Sequence, residues 1–265
     1  MGFRQWRDLS SVEIAGLDHK RAVAVLLLAA TEQHGPHLPT GTDALIAEGL
    51  LAEAARHVPD DLDAVVLPVQ AVGASLEHVG YAGTLSLSAT QLREAILAIG
   101  DGVARAGLKK LVIVSSHGGN VPAMMAAALE CRARHRLLAV TLTFARLGLP
   151  AGIVDPREAE FGVHGGLIET SLMLHFRPDL VDMSKAADFP TLQTTLVDRF
   201  ERLRAHGPIG FGWLAGDLNL QGATGNAAAA TARTGAAIAA HQAAAFVELL
   251  REVAFVDADS VLAKP

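Results

Sequence analysis

Residues 31–43, TEQHGPHLPTGTD, place four potential metal ligands together directly behind an aliphatic run. These ligands are Glu32, His34, His37 and Asp43. Glu32 and His34 are two positions apart, so their side chains point the same way if the preceding strand continues. Burying two such groups at the end of a strand is unfavourable unless a ligand or partner satisfies them. The stretch therefore indicates a metal site.

Two later segments offer ligands of the same chemical types. SSHGGN at 115–120 holds His117, and VHGGLIETS at 163–171 holds His164 and Glu169. Carboxylates and imidazoles suit Zn(II), Mn(II) or Fe(II), and the lack of thiolates excludes a structural cysteine–zinc site. Together the three segments contain enough ligands for two ions.

Each histidine also has an ordinary explanation. A lone histidine beside glycine is commonly a loop residue that bonds to the backbone, so neither His117 nor His164 alone would indicate a site. Their joint occurrence with carboxylates favours a metal centre. Three histidines on predicted helices are interpreted as surface residues: His57, His135 and His241. Three others have no predicted role: His19, His175 and His206.

Nucleophilic and nucleotide-binding motifs are missing from the sequence. There is no G-x-S-x-G elbow to accompany the HGGN segment, which disfavours a serine hydrolase. There is likewise no P-loop, no G-x-G-x-x-G and no H-E-x-x-H. The only cysteine, Cys131, lies in an amphipathic pattern and is interpreted as a buried structural thiol.

Four apolar runs predict strands buried on both faces, at 22–30, 64–69, 110–116 and 137–144. Helical patterns separate or follow them, at 43–57, 89–106, 121–135, 166–176 and 226–253. Segment 145–163 is predicted as a loop. This alternation indicates an α/β fold with a mainly parallel sheet, in a single domain over 1–265. Ligands of such sheets bind beyond the carboxyl ends of the strands, where the three polar segments fall.

The amino-acid composition limits the classes of molecule that the protein is expected to bind. The net charge of -6 and the aromatic content of 5% disfavour nucleic acid and anionic membranes. The longest aliphatic run near the N-terminus, Ala22–Ala30, is too short to span a bilayer, and no signal peptide is recognisable. With one cysteine the chain fits a reducing compartment. We expect a soluble, cytoplasmic protein with a small-molecule or protein partner.

Three segments resemble the creatininase (creatinine amidohydrolase) family in order and spacing: TEQHGPHLPTGTD, SHGGN and HGGLIETSLMLHFRPDLV. The resemblance extends over most of residues 20–255. It implies a three-layer α/β/α fold, two divalent metal ions (zinc or manganese, with iron possible), hydrolysis of an amide C–N bond, and a homohexamer.

The resemblance also implies roles for individual residues. Glu32 and His117 would hold one metal ion, His34 the other, and Asp43 would bridge them. Creatininase has a glutamate where this chain has Gly119, so Glu169 is the candidate for the remaining ligand, or else a support for His164. His37 matches no ligand position and is assigned either to the pocket wall or to the residues that support the ligands.

The implied reaction is the attack of water, activated by two metal ions, on an amide. His164, with Glu169 beside it, would be catalytic and would give a proton to the leaving nitrogen. The backbone N–H groups of Gly118 and Gly119 would meet the oxyanion. The other residues predicted to bind substrate are Ser75, Glu77 and His78.

The substrate is left open by the sequence. Creatininase carries tryptophans ahead of the HGG motif, whereas residues 147–163 here contain none, so creatinine is not the expected substrate. A small, cyclic amide is the first interpretation. The alternatives are a deformylase or peptidase acting on a biosynthetic intermediate, and a metal-binding homologue without catalysis.

Overall fold

A five-stranded parallel sheet forms the centre of the computed structural model, which describes residues 2–258. The strand order is β1-β3-β2-β4-β5. The strands are β1 (Arg4–Gln5), β2 (Val23–Leu28), β3 (Ala64–Val66), β4 (Lys110–Ser115) and β5 (Leu138–Thr143). Since β2 lies between β3 and β4 and every residue in it is buried, the loop that follows it emerges at the middle of the sheet edge.

Helices cover both faces of the sheet. They are α1 (Ser11–Ala15), α2 (Thr42–Ala55), α3 (Ala89–Arg105), α4 (Val121–His135), α5 (Pro156–Phe161), α6 (Leu167–Phe176), α7 (Leu192–Arg199), α8 (Ala215–Leu218) and α9 (Ala232–Phe255). A short antiparallel pair, β6 (Asp188–Phe189) and β7 (Gly225–Asn226), lies outside the main sheet.

Alternate residues of β2 belong to two separate cores. Val25 and Leu27 pack with α2, α6 and α9 on one face. Leu26 and Leu28 pack with α3 and α4 on the other. The predicted three-layer α/β/α arrangement with a mainly parallel sheet is therefore confirmed.

The bounds of several elements differ from the prediction. The strand expected at 64–69 ends at Val66, just before Pro68, which has no N–H to donate. The helix expected from 226 begins at Ala232, because the Thr231 hydroxyl accepts the Thr234 N–H at 3.1 Å and caps it there. The segment expected to be a loop contains α5, and the two-residue β1 was not predicted.

Small residues allow the helices to approach closely. A Cβ at Gly235 of α9 would lie 1.9 Å from the Ser171 carbonyl oxygen of α6. On the other face, a Cβ at Gly100 would lie 2.5 Å from Sγ of the buried Cys131, which agrees with a structural thiol. No helix within residues 2–258 is both long enough and apolar enough to cross a membrane.

The contact at Gly235 gives a test of this packing. We expect Gly235→Ala to lower the free energy of unfolding by about 1–3 kcal/mol, because α9 must shift to admit the methyl group. Urea unfolding followed by circular dichroism measures it. Gly102→Ala on α3 is the matched control, since its Cβ would meet only Arg105, at 3.7 Å. Because alanine has a greater helix propensity than glycine, Gly102→Ala should leave the free energy of unfolding equal or raise it by up to about 1 kcal/mol. Equal stability of the two variants would contradict the packing argument.

Candidate metal centre

The loop after β2 folds back so that the start of α2 faces the strand end. The Glu32 N–H donates to the Thr40 carbonyl at 2.9 Å, which brings the two arms of the loop together. Asp43 then lies in the first turn of α2, with 1% of its surface exposed. His34 Nδ1 donates to the Glu32 carbonyl at 3.0 Å, so its Nε2 faces Asp43 Oδ1 at 3.7 Å.

The loop after β4 brings His117 to the same place. The Ser115 hydroxyl accepts the His117 N–H at 3.1 Å and donates to the His117 carbonyl at 2.8 Å, which fixes the turn. The imidazole Nε2 donates to the Ala74 carbonyl at 3.0 Å. As a result Nδ1 points inward, 3.1 Å from Glu32 Oε1 and 3.7 Å from Asp43 Oδ2.

The segment before α6 adds Glu169 and His164. The Gly165 N–H, at a φ of 62° suited to glycine, donates to Glu169 Oε2 at 2.5 Å. The same oxygen lies 3.9 Å from His34 Nε2. His164 donates from Nε2 to the Gln33 carbonyl at 2.7 Å, and its Nδ1 lies 3.7 Å from Glu32 Oε1.

These side chains form overlapping ligand sets. In each set the potential ligand atoms lie within 4.8 Å of one another: Glu32 with Asp43 and His117, His34 with Asp43 and Glu169, and Glu32 with His34 and His164. Asp43 belongs to the first two sets. Two three-ligand sets that share a carboxylate could hold a pair of divalent ions.

Unsatisfied buried atoms show that the residues fit such ions. Both carboxylate oxygens of Glu32, Asp43 Oδ2 and His34 Nε2 are buried and have no hydrogen-bond partner among residues 2–258. Unpaired buried carboxylates are costly in a protein interior, and a coordinated cation would satisfy them. The prediction of a divalent-metal site is confirmed.

The inner ligands shift one another's pKa values. Burial acts to lower the pKa of His34, but Asp43 and the other carboxylates outweigh it and raise this pKa to about 10. Burial is outweighed again at His117, where Glu32 raises the pKa to about 9. Burial raises the pKa of Asp43 to about 6 against the charge of His34. At Glu32, His117 overcomes burial and holds the pKa below its usual range.

Two further imidazoles respond in the opposite direction. Burial, reinforced by the charge of His34, lowers the pKa of His164 to about 4. Burial also lowers the pKa of His78 to about 3, with His164 adding to the shift. The two rings stack with centroids 4.2 Å apart. Both are therefore neutral near pH 7.

A cavity of about 280 Å³ opens beside the ligands. His117, Gly118, His164 and Glu169 line it on the polar side. Asp43 of α2 also lines it. The other lining residues follow β4, lie at the end of β5 and just after it, or belong to the segment from α5 to the first turn of α6, and include Ser116, Thr143, Ala145, Val163 and Ile168. The lining from β5 was not predicted, although the rule that strand ends share one sheet edge could have identified it.

Other residues predicted to bind substrate lie behind the ligands. Ser75 and His78 are buried, and the Ser75 hydroxyl lies 3.4 Å from His117 Nε2. Glu77 Oε1 is 3.5 Å from the same nitrogen. A Cβ at Gly119 would lie 2.5 Å from Glu77 Oε1, whereas one at Gly118 would meet nothing within 4 Å. Gly119 thus makes room for Glu77, and Gly118 faces open space.

The remaining histidines differ in how far they are buried. His37 is buried, and its Nε2 lies 2.9 Å from the Thr170 hydroxyl, outside the three ligand sets. His57 and His241 are exposed as predicted. His135 is only half-buried and pairs with Asp101 at 2.5 Å.

The chain is similar to known proteins of one family. The sequence profile of the family described as creatininase, creatinine amidohydrolase, matches residues 7–250. A mycofactocin precursor peptide peptidase from Mycolicibacterium smegmatis is 36% identical over 164 residues, spanning 61% of this chain and 61% of the relative. A creatinine amidohydrolase from Pseudomonas putida is 27% identical over 206 residues, spanning 72% of this chain and 76% of the relative.

Solved structures share the fold. A manganese form of creatininase superposes with a TM-score of 0.74 at 22% identity, covering 94% of this chain and 98% of that chain. A variant creatininase of zinc–zinc type gives a TM-score of 0.75 at 23% identity, covering 95% and 98%.

The shared position of Asp43 leads to a prediction of metal content. We expect the protein to bind two zinc ions per chain, Asp43→Asn to lose both, and Glu169→Gln to lose one, because Asp43 belongs to two ligand sets and Glu169 to one. Elemental analysis after dialysis against zinc measures this. Glu48→Gln, an exposed position on the same helix as Asp43, should keep both ions. Two ions retained by Asp43→Asn would refute the bridging role.

Proposed function

We propose that this chain, which belongs to the creatininase (creatinine amidohydrolase) family, is a metal-dependent amidohydrolase that cleaves the C–N bond of a small amide. The observation that carries the proposal is the pair of ligand sets sharing Asp43, with buried carboxylate oxygens that no group in the described part of the chain satisfies. One edge of the cavity is formed by these ligands, so a substrate carbonyl in the cavity would lie beside them.

Glu32, Asp43 and His117 would hold one ion, and His34, Asp43 and Glu169 the other. When bound, such ions polarise a carbonyl and lower the pKa of water so that hydroxide is available at neutral pH. The chain must aim the ligand atoms correctly. Hydrogen bonds from His34 Nδ1 and His117 Nε2 to backbone carbonyls do this by turning the other ring nitrogen of each toward the carboxylates.

His164 would move the proton. Its Nε2 proton is held by the Gln33 carbonyl, so in the neutral ring Nδ1 is a proton acceptor beside Glu32. His164 would therefore first take a proton from the attacking water at Nδ1. It would then give that proton to the departing nitrogen, which leaves as an amine. Gly118, whose surroundings are open, is the better candidate of the two glycines for meeting the oxyanion.

The cavity favours a small, uncharged group. None of its lining residues is lysine or arginine, and its outer wall includes Ala145, Val163 and Ile168. Neither tryptophan of the chain lines it: Trp6 packs near α3, and Trp213 packs against a separate cluster of Leu196, Ala205 and Leu218. We therefore propose a substrate other than creatinine, as the sequence predicts.

A second candidate is cleavage of a peptide bond in a short peptide. The relatives at 34–36% identity are named as peptidases of the mycofactocin precursor peptide, and they are more similar to this chain than the creatinine amidohydrolase at 27%. Peptide and cyclic amide hydrolysis need the same metal centre and differ in how the substrate extends from the cavity.

A substrate panel separates these candidates. We expect the zinc- or manganese-loaded protein to hydrolyse at least one member of a panel of cyclic amides, N-formyl compounds and short peptides, detected by mass spectrometry of the products. Stripping the ions with chelator should abolish turnover, and adding them back should restore it. Asp43→Asn should stay inactive after metal is returned. Turnover that survives complete removal of metal would refute the mechanism, and inactivity on every class would favour a non-catalytic role.

His164 is tested separately from the ligands. On the substrate found, we expect His164→Ala to lower kcat by about 10²–10⁴-fold with a smaller change in KM, since proton transfer is lost while the cavity remains. The zinc content should stay at two ions. His57→Gln, an exposed histidine, is the control and should match the unaltered protein. A kcat within twofold of normal would exclude His164 from proton transfer.

We propose further that the protein is a homohexamer in the cytoplasm. The family resemblance supports the assembly, and the single cysteine supports a reducing compartment. Light scattering of the purified chain would measure the assembly.

A further inference from the structure

Gln33 lies between the two metal ligands Glu32 and His34, but its side chain turns away from them and into the protein. It is buried, with 7% of its surface exposed. Its carboxamide nitrogen lies 2.7 Å from His78 Nδ1, 2.8 Å from the Gly222 carbonyl and 3.3 Å from His164 Nε2. Gln33 therefore contacts both neutral imidazoles behind the metal centre.

Two backbone groups fix which way the Gln33 amide faces. Its Oε1 accepts the Gly35 N–H at 2.9 Å, and its Nε2 donates to the Gly222 carbonyl. A flipped amide would set nitrogen against an N–H and oxygen against a carbonyl, so both bonds would be lost. The close fit needs a glycine at 222, since a Cβ there would lie 2.2 Å from Gln33 Oε1.

The number of hydrogens on the Gln33 amide then determines the tautomers of the neighbouring histidine rings. The Gln33 amide has two hydrogens, and the two shortest contacts, to Gly222 and His78, use both. His78 Nδ1 must accept, so the neutral ring carries its proton on Nε2. His164 Nε2 must donate to the main-chain carbonyl of Gln33, which can only accept. Both rings are therefore Nε2–H tautomers.

These tautomers have consequences at the metal centre. The Nε2–H of His78 faces Glu32 Oε1, 3.5 Å away. The His78 ring also stacks on His164 with an interplanar angle of 29°. With Nε2 occupied, His164 turns its Nδ1 lone pair toward Glu32 and the other ligands.

We propose that Gln33 is a positioning residue of the metal centre, which through its side chain holds His78 as the Nε2–H tautomer and so aims both Glu32 and the His164 ring. The functional part of this inference rests on the proposed metal-dependent hydrolysis. The tautomer assignment does not, because it follows from hydrogen-bond partners alone.

Histidine-ring ¹⁵N NMR of the zinc-loaded protein tests the assignment. Protonated and unprotonated ring nitrogens have well-separated shifts, and replacing His78 or His164 by glutamine identifies each signal. We expect Nε2–H and bare Nδ1 at both rings. Gln33→Glu should move the His78 proton to Nδ1, because a carboxylate can only accept, while His164 stays unchanged since its partner is main chain. A wild-type His78 protonated at Nδ1 would overturn the proposal.

Zinc affinity, measured by competition with a chelator, supplies the functional readout. We expect Gln33→Glu and Gln33→Met to weaken zinc binding or lower kcat by about 10–100-fold, with KM changing less. Gln33→Met removes the donor without adding charge, so it keeps the test usable if Gln33→Glu fails to fold.

Gln70→Glu is the matched control, because within residues 2–258 its amide donates only to the Val72 carbonyl and has no hydrogen bond to a histidine. Both histidine signals and zinc affinity should be unchanged in it. Unchanged signals and affinity in both Gln33 variants would refute the positioning role. A failure of the proposed hydrolysis would look different: the unaltered protein would be inactive on every substrate, while the tautomers and the zinc affinity would be as expected.

Discussion

Two buried carboxylates determine the rest of this site. Glu32 is fully buried and Asp43 nearly so, at the carboxyl edge of the central sheet. Without compensation, two negative charges in such surroundings would destabilise the fold by several kcal/mol. Imidazoles from three different segments are placed against them, and the two ligand sets they form are what a pair of divalent ions can occupy.

The fold brings these side chains together through short loops at one edge of the sheet. β2 ends in the middle of the sheet edge, α2 begins there, and β4 delivers its loop beside them. Each imidazole is then oriented by a backbone carbonyl: that of Glu32 for His34, of Ala74 for His117 and of Gln33 for His164. The orientation of the ligands is thus built into the main chain, which leaves the cavity walls free to vary with the substrate.

The sequence allowed much of this to be predicted. The apolar runs located four of the five strands because aliphatic residues dominate each of them. The prediction that all four are buried on both faces is wrong for β5, which lies at the sheet edge and is only half-buried along its length. The rule of strand ends then brought Glu32, His117 and Glu169 to one edge. Element ends were less predictable, as at Val66, since apolar residues continue past the last paired residue.

Contacts between side chains far apart along the chain were beyond this reasoning. The Gln33 network depends on a carbonyl at Gly222, and nothing in the motif around Gln33 identifies that partner. The same holds for Glu77, which occupies the space that a side chain at Gly119 would need. Helix α5 was missed because a six-residue helix with no buried residue has no apolar periodicity.

The ligands of the shared site come from widely separated parts of the chain. Glu32 and Asp43 are near neighbours along it. His117 follows β4, and Glu169 lies on α6, which comes after all five strands of the central sheet in the sequence. A pair of ions held by these ligand sets would close long loops of an otherwise flexible chain, and would bind the folded state. Metal supply would then act on the amount of this protein as well as on its activity, since chains deprived of ions would unfold more often and be degraded sooner.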